Sequence, residues 1–151
     1  MYKHILIPTD GSDLSKEAVS YGISLAKAVN ADVTAITVTV PFHIYTLDTA
    51  MIEDTPESYK KRMTAFAAKC LDEVKDAAKA GVKCETVHVE LEHPYQAIID
   101  TAKARGCDLI VMASHGRRGI AAIVLGSETV KVLTHSTVPV LVYRASPPRA
   151  M

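Results

Sequence analysis

Short apolar runs alternate along this chain with longer segments in which apolar residues recur at the spacing of a helix. Strands are predicted for five of the runs, at residues 4–7, 33–40, 84–91, 108–112 and 138–143. Helices are predicted for the four segments between them, beginning near Asp13, Thr55, Pro94 and Ser127. Strands that alternate with helices favour a parallel sheet, because parallel neighbours must be joined by a crossover connection.

The first two helical segments have recognisable starts and apolar faces. Asp13 is expected to cap the first helix. The inward face of that helix is predicted to consist of Ala18, Gly22, Leu25, Ala26 and Val29. Thr55, Pro56 and Glu57 supply a cap, a proline at the first helical position and an acid for the start of the second helix. The apolar stripe of the second helix is predicted to consist of Met63, Phe66, Ala67, Cys70, Leu71, Val74 and Ala78.

The last part of the chain is predicted to form an edge of the sheet. Val130 and Leu133 are expected to point inward from the last helix. Pro139 has no N–H to donate, so the strand that contains it is expected to pair on one side only near its start. Residues 146–151 are expected to form a flexible tail, which leaves residues 1–145 as a single domain.

These elements predict a doubly wound α/β fold of the Rossmann-like type, in which a five-stranded parallel sheet has helices on both faces. Ligands of such sheets bind beyond the carboxyl ends of the strands, where the strand order reverses. If the first strand is central, with the second and third on one side and the fourth and fifth on the other, the crevice lies between the first and fourth. Pro8, Thr9 and Asp10 then face Ala113 and the residues after it.

Composition limits the classes of function that are open to this chain. Its 151 residues are 48% hydrophobic and 23% charged, which suits one compact domain. The 17 basic and 17 acidic residues give a formal net charge of zero, which argues against a general nucleic-acid binder. No stretch approaches the roughly 20 apolar residues that span a bilayer, so no membrane partner is expected. Cys70, Cys84 and Cys107 are scattered, which favours a reducing cytoplasm over a disulfide framework.

The segment after the fourth strand has the features of a phosphate site. Small residues beginning at Ala113 let a ligand approach the backbone, whose successive N–H groups can bind an anion. The N-terminus of the last helix adds unpaired N–H groups and a favourable dipole. The expected phosphate contacts are the backbone of Ser114, His115, Gly116, Gly126, Ser127, Glu128 and Thr129, the hydroxyls of Ser127 and Thr129, and the side chain of Arg117 or Arg118.

A nucleoside is expected to occupy the rest of the crevice. Asp10, which follows Pro8 and Thr9 at the end of the first strand, can accept hydrogen bonds from ribose hydroxyls. Val38, near the end of the second strand, and Met112 can supply apolar walls for a purine. Together with the phosphate segment, these residues predict a nucleotide site.

Several of these residues also have purely structural interpretations. Asp10 can serve only in a turn that supports the following helix. Ser127 is expected to cap the last helix whether or not it contacts phosphate, and the two arginines are more often solvated than bound to a ligand. Ser114 and His115 are neighbours in a loop without an evident orienting acid, so no catalytic residues are predicted. The spacing of Cys84, His88 and His93 matches no recognised zinc pattern, so no metal ligands are predicted.

The chain resembles the universal stress protein family over essentially its whole length. The family signature is a glycine, two residues, a second glycine, nine residues, a third glycine and then Ser or Thr, with an Asp at the end of the first strand. Gly116, nine residues and then Gly126 and Ser127 match that signature, and Asp10 matches the strand end. The first glycine of the signature is Ala113 in this chain.

The resemblance implies the strand order 3-2-1-4-5, a homodimer formed through the last strand at residues 138–143, and binding of ATP, with or without Mg²⁺. The methyl group of Ala113 is expected to crowd the ligand, which costs roughly 1–3 kcal/mol and weakens affinity about tenfold to a hundredfold. Glu128 lies beside the expected phosphate and is expected to point to solvent, where its charge does not repel the ligand.

The sequence therefore predicts an ATP-binding protein of the stress response or of signalling that acts as a cytoplasmic homodimer. Two alternatives stay open: an interaction-only stress protein that has lost nucleotide binding, which Ala113 favours, and a slow ATPase that uses the same crevice. Efficient turnover is not expected, because the chain has neither a P-loop nor a G-x-G-x-x-G motif and no motif positions a base. The loop of residues 41–55 has no chemical signature.

Overall fold

Strands and helices alternate through the part of the chain that the computed structural model describes, which comprises residues 1–42, 55–79, 81–116 and 125–145. The strands are β1 (His4–Pro8), β2 (Asp32–Thr39), β3 (Cys84–Glu90), β4 (Leu109–Ala113) and β5 (Val140–Tyr143). The helices are α1 (Asp13–Val29), α2 (Pro56–Ala78), α3 (Pro94–Ala104) and α4 (Ser127–His135). Every predicted strand and helix is therefore present. Arg117, Arg118, most of the 41–55 loop and the 146–151 tail lie outside the described residues.

The five strands form one parallel sheet in the order β3-β2-β1-β4-β5. In its centre, Leu6 of β1 lies opposite Thr34 of β2 on one side and Ile110 of β4 on the other. The strand order reverses at β1, because the chain first moves outward through β2 and β3 and then returns to the other side as β4. The predicted doubly wound α/β fold is confirmed, and the reversal of strand order falls between β1 and β4.

Two hydrophobic cores lie on the two faces of the sheet, because successive strand residues point to opposite faces. One core contains Ile7 and joins the sheet to α1 and α2. The other contains Leu6 and joins the sheet to α3 and α4. β4 is buried along its whole length, which explains its uninterrupted apolar sequence. None of the helices in the described ranges combines the length and apolar character needed to cross a membrane.

The helix caps correct two of the predicted starts. Ser12, not Asp13, caps α1, because its hydroxyl accepts a hydrogen bond of 3.2 Å from the backbone N–H of Ser15. Asp13 is instead the first helical residue, where its charge favours the helix dipole. The inward face of α1 is only partly as predicted: Ala18, Gly22 and Ala26 are buried, whereas Leu25 and Val29 are half-buried. The buried face also includes residues that were not predicted, namely Leu14, Ser15, Val19 and Ile23.

Helix α2 begins as the sequence predicts. Thr55 is its N-cap and forms a capping box with Ser58, and a proline occupies the first turn. The fully buried members of the predicted stripe are Ala67, Cys70, Leu71, Val74 and Ala78, while Met63 and Phe66 are half-buried. Tyr59 is also buried, which the sequence did not predict, and its hydroxyl donates a hydrogen bond of 2.7 Å to the carbonyl of Val40.

Helix α4 buries a different face from the one that the sequence predicted. Its N-cap is Gly126 rather than Ser127, which is the first helical residue. Thr129 and Val132 are buried, whereas Val130 and Leu133 are 45% and 43% exposed, so the predicted inward pair was wrong. The prediction counted only apolar residues, but the inward face of α4 includes a threonine that bonds to the backbone of β4.

Strand β5 is an edge strand, as Pro139 indicated. It begins at Val140 rather than two residues earlier. The reason is Ser136, whose hydroxyl donates to the carbonyl of Val138 (2.7 Å) and accepts from its N–H (3.0 Å), so that Val138 is held in a turn. The carbonyl of Pro139 still accepts a hydrogen bond of 2.9 Å from Ile110 of β4.

Candidate functional site

The turn after β1 is held by a buried network of hydroxyl groups. Thr9 and Ser15 share a hydrogen bond of 2.6 Å between their side-chain oxygens, and the Ser15 oxygen also accepts the N–H of Asp10 at 3.3 Å. The hydroxyl of Thr37 on β2 donates to the carbonyl of Thr9 at 2.9 Å. Asp10 itself accepts the N–H of Ser12 through Oδ1 at 3.0 Å. The carboxylate therefore has a fixed orientation, and the predicted turn that supports α1 is present.

Gly11 fits a tight space within that turn. Its φ of +78° lies in the left-handed region, where residues with a Cβ are strained. A Cβ at this position would also lie 2.9 Å from the sulfur of Cys70 on α2. The turn thus approaches α2 closely only because this residue is glycine.

The end of β4 is held by contacts from distant parts of the chain. The N–H of Ser114 donates to the carbonyl of Tyr143 in β5 at 2.8 Å. The carbonyl of Ser114 accepts the N–H of Gly126 at 2.6 Å, and the carbonyl of Ala113 accepts the hydroxyl of Thr129 at 3.0 Å. The first turn of α4 is consequently fixed against the strand end from which the loop departs.

The two strand ends meet in space. A Cβ built on Gly116 would lie 2.5 Å from Oδ2 of Asp10, so only a residue without a side chain fits there unless the carboxylate moves. A Cβ on Gly126 would lie 3.1 Å from the Cα of His115, which also requires a close backbone approach. The structure therefore brings together the first strand end and the glycine segment that the sequence placed on either side of one crevice.

Ala113 has a different surrounding from the one expected. It is buried, and its methyl group packs in a small cluster with Leu14 and Ala18 of α1 and with Tyr143. The strand alternation turns this side chain toward the α1 face of the sheet. The methyl group is therefore accommodated by helix packing.

The two residues expected to form apolar walls lie on the opposite face, in the core that contains Leu6. Met112 is buried there, and Val38 packs against the same core as a half-buried residue. Pro8, at the end of β1, pairs with Ile36 of β2 and is half-buried. These residues line up along the carboxyl ends of β1, β2 and β4.

Glu128 is not directed into solvent as expected. Its Oε2 accepts the backbone N–H of Tyr95 at 2.9 Å, and its Oε1 lies 3.5 Å from the ammonium of Lys131. The carboxylate is therefore bound to the start of α3. This contact could not be predicted from the sequence, because the two residues lie on different helices.

The remaining candidate residues differ in how exposed their side chains are. Ser127 is exposed at the start of α4, while Ser114 and Thr129 are buried. His115 is half-buried and has its Nδ1 3.4 Å from the carbonyl of Gly116.

Within the described ranges, no three His, Cys, Asp or Glu side chains form a cluster suited to a metal ion. Ser15 and Thr37, which support the β1 turn, were missed because nothing in their local sequence marks them.

At the amino ends of β1 and β4, on the side of the sheet opposite the candidate site, a carboxylate binds backbone N–H groups. Asp108 accepts the backbone N–H groups of Lys3 and His4 at distances of 2.9 to 3.2 Å. Burial raises the pKa of this carboxyl, but the hydrogen bonds from Lys3 and His4 outweigh burial and lower it overall. Burial raises the pKa of the Cys107 thiol to about 11, which makes it a poor nucleophile.

Comparison with known proteins finds one family over nearly the whole chain. The model of the universal stress protein family matches residues 1–144. Universal stress protein MJ0531 of Methanocaldococcus jannaschii is 35% identical over 150 residues, which cover 95% of this chain and 83% of that protein. Universal stress protein YxiE of Bacillus subtilis is 33% identical over 149 residues, covering 95% of this chain and all of that protein.

Solved structures show the same architecture. The structure of MJ0577, also from Methanocaldococcus jannaschii, superposes with a TM-score of 0.82 at 28% identity and covers 97% of this chain and 99% of its own. A universal stress protein in complex with cAMP superposes with a TM-score of 0.67 at 26% identity, covering 96% of this chain and 99% of its own.

Proposed function

This chain belongs to the universal stress protein family, and we propose that it binds an adenine nucleotide, ATP with or without Mg²⁺, in the crevice between β1 and β4. The proposed role is in the stress response or in signalling, with binding rather than efficient catalysis as the activity. The observation that carries the proposal is the approach of Asp10 to Gly116, which joins the two strand ends at the reversal of strand order.

The nucleoside half of the site is assigned to the ends of β1, β2 and β4. Asp10 is the ribose ligand, because its carboxylate is oriented by Ser12 and lies at the crevice. Pro8 and Thr9 shape the backbone beside it, and the half-buried Val38 supplies apolar surface for the base, whereas the side chain of Met112 is buried in the core. A complex with cAMP, reported for a relative of the same fold, supports an adenine nucleotide as the ligand class.

The phosphate half is assigned to the backbone of Ser114, His115 and Gly116 and to the first turn of α4. Gly116 and Gly126 let this segment approach Asp10 and His115 closely, which keeps its backbone N–H groups beside the end of β1. Helix α4 directs its N-terminal N–H groups and the positive end of its dipole toward the same place. Ser127 adds an exposed hydroxyl.

Further phosphate contacts are assigned to Arg117, Arg118, Glu128 (through its N–H) and Thr129. The hydroxyl of Thr129 donates its proton to the carbonyl of Ala113, so the expected hydroxyl contact is replaced by one from its N–H. Mg²⁺, when bound together with ATP, would neutralise part of the phosphate charge. The buried state of Cys70 and Cys107 fits the proposed location in a reducing cytoplasm.

Calorimetry with Mg-ATP tests the nucleotide site. The native chain is expected to bind with micromolar affinity. Asp10→Ala is expected to weaken binding about tenfold to a hundredfold through loss of charge-assisted hydrogen bonds, and Gly116→Val at least as much by displacing the carboxylate. Asp72→Ala, which removes an exposed acid from α2, is the control and is expected to bind like the native chain. Unchanged affinity in both crevice variants would contradict the site.

We also propose that two copies pair through β5 to form a homodimer. The strand lies at the sheet edge, and all four of its side chains are half-buried. Exposed apolar residues flank it on both faces: Tyr21 of α1, 45% exposed, stacks against Tyr143, and Val130 and Leu133 lie on α4. A bare edge of this kind favours association, and symmetric antiparallel pairing would cover it.

Light scattering over a range of protein concentrations tests the dimer. The native chain is expected to have twice the monomer mass. Leu133→Lys is expected to shift the equilibrium toward monomer, because it places a charge on the flank of β5. Val40→Lys alters an exposed apolar residue at the end of β2 and should leave the dimer intact. A native chain that is monomeric at every concentration would refute the pairing.

A further inference from the structure

Helix α3 begins without a cap from its own N-cap side chain. His93 occupies that position, but among the described residues its side chain makes no capping hydrogen bond, and Pro94 has no N–H. The next N–H, that of Tyr95, is one of the groups that a helix leaves unsatisfied at its start. Oε2 of Glu128 accepts it at 2.9 Å, so the first turn of α4 caps α3.

Both oxygens of Glu128 are engaged on the α3 side. Oε1 lies 3.5 Å from Nζ of Lys131, and that ammonium lies 5.6 Å from the centre of the Tyr95 ring. The same ring packs against the ring of His135 at 5.4 Å. Tyr95 of α3 is thus in contact with Glu128, Lys131 and His135 of α4.

The residues on either side of Glu128 tie the same turn to β4. Gly126 donates to the carbonyl of Ser114, and Thr129 donates to the carbonyl of Ala113. These two bonds fix the distance of the turn from the strand end. If α4 were bonded to β4 alone, the helix could still tilt about that contact. The bond between Glu128 and Tyr95 restricts this tilt, because it connects the same turn to α3.

We infer that Glu128 is a positioning residue for the phosphate half of the nucleotide site, an inference that rests on the proposed function. The bond to Tyr95 fixes the tilt of α4, and it directs the negative charge of Glu128 toward α3. The N–H groups of the first turn then face the phosphates without a carboxylate between them. An acid in this turn is thereby compatible with an anionic ligand.

Two substitutions separate the role of the acceptor oxygen from that of the charge. Glu128→Gln keeps an oxygen for Tyr95, and its ATP affinity is expected to stay within about twofold of native. Glu128→Ala removes the acceptor and is expected to weaken ATP about threefold to tenfold, with adenosine affinity little changed. Glu57→Ala, which removes the first-turn acid of α2, is the matched control. Calorimetry measures the affinities, and hydrogen exchange of the Tyr95 amide in ligand-free protein reports the cap.

Exchange at Tyr95 is expected to accelerate in Glu128→Ala and to stay slow in Glu128→Gln. ATP binding that tightens more than about fivefold in Glu128→Gln would overturn the inference, because the charge would then face the phosphates. Native ATP affinity in Glu128→Ala, or an equal loss for ATP and adenosine, would also overturn it. Unaltered Tyr95 exchange in Glu128→Ala would overturn the inference as well, because the bond to Tyr95 carries the positioning role. A native chain that binds no ATP refutes the proposed function and, with it, the phosphate role of Glu128.

Discussion

The two ends of the crevice are built in different ways. The turn after β1 is held mainly by its own neighbours, because Asp10, Ser12 and Ser15 bond to one another or to Thr9 within a few residues. The end of β4 is held by residues far along the chain, in β5 and at the start of α4. The contacts of the β1 turn close short loops, which costs little chain entropy, whereas those of the β4 end close longer ones.

This difference predicts where each end is vulnerable. Damage to the β1 turn should come from substitutions that alter its backbone or its fit against α2. Damage to the β4 end should come from removing single long-range bonds. The following substitutions test that division, in order of decreasing expected effect on the free energy of unfolding.

Gly11→Ala should have the largest effect. The substitution is expected to lower the free energy of unfolding by about 2–4 kcal/mol, because backbone strain and overpacking against Cys70 add together. Gly106→Ala is a matched control, since Gly106 has a φ of +66° but no described atom within 4 Å of its added Cβ. The control should lose only about 1–2 kcal/mol from backbone strain. Urea denaturation measures both free energies of unfolding, and an equal loss in the two variants would show that Gly11 is not tightly packed against α2.

Thr129→Val should have an intermediate effect on the β4 end. The variant leaves the buried carbonyl of Ala113 without its hydroxyl donor, which is expected to cost about 1–2 kcal/mol of unfolding free energy. Thr134→Val removes a hydroxyl from the exposed side of the same helix, where it donates to the carbonyl of Val130, and should cost less than about 0.5 kcal/mol. A similar cost for both threonines in denaturant titrations would contradict the role of Thr129 as an anchor of α4.

Ala113→Gly should have the smallest effect. Loss of the methyl group from its cluster with Leu14 and Ala18, together with the flexibility of glycine in a strand, is expected to cost about 0.5–1 kcal/mol. Nucleotide affinity should change by less than about twofold, because the methyl group packs against α1. Calorimetry that showed tenfold tighter ATP binding would restore the expectation from the sequence that this methyl crowds the ligand.

The sequence predicted most of the fold because the fold depends on periodic patterns. The apolar runs located all five strands, and Pro139 correctly placed β5 at an edge. The β1 turn was also predictable, since a short acidic residue followed by glycine is typical of a turn before a helix. Caps were less certain, because Ser12 and Asp13 are both capping residues and only the backbone geometry distinguishes them.

The surroundings of α4 could not be predicted from the sequence. Its inward face includes Thr129, whose hydroxyl is satisfied by the backbone of β4, and an apolar pattern cannot anticipate a buried polar residue of this kind. Glu128 was expected in solvent because its partner, the N–H of Tyr95, is a backbone group with no signature of its own. The direction of the Ala113 methyl likewise depended on the strand register of β4 and on the position of α1.

The hydrogen bond between Ser114 and the carbonyl of Tyr143 joins the crevice loop directly to the last residue of the edge strand. A nucleotide on one side of that peptide and a second subunit on the other would both act on the same short piece of backbone. Linkage then requires reciprocity: whatever factor the nucleotide applies to subunit association, association must apply to nucleotide affinity. Nucleotide binding and dimer formation would in this way be coupled through the hydrogen bond between Ser114 and Tyr143.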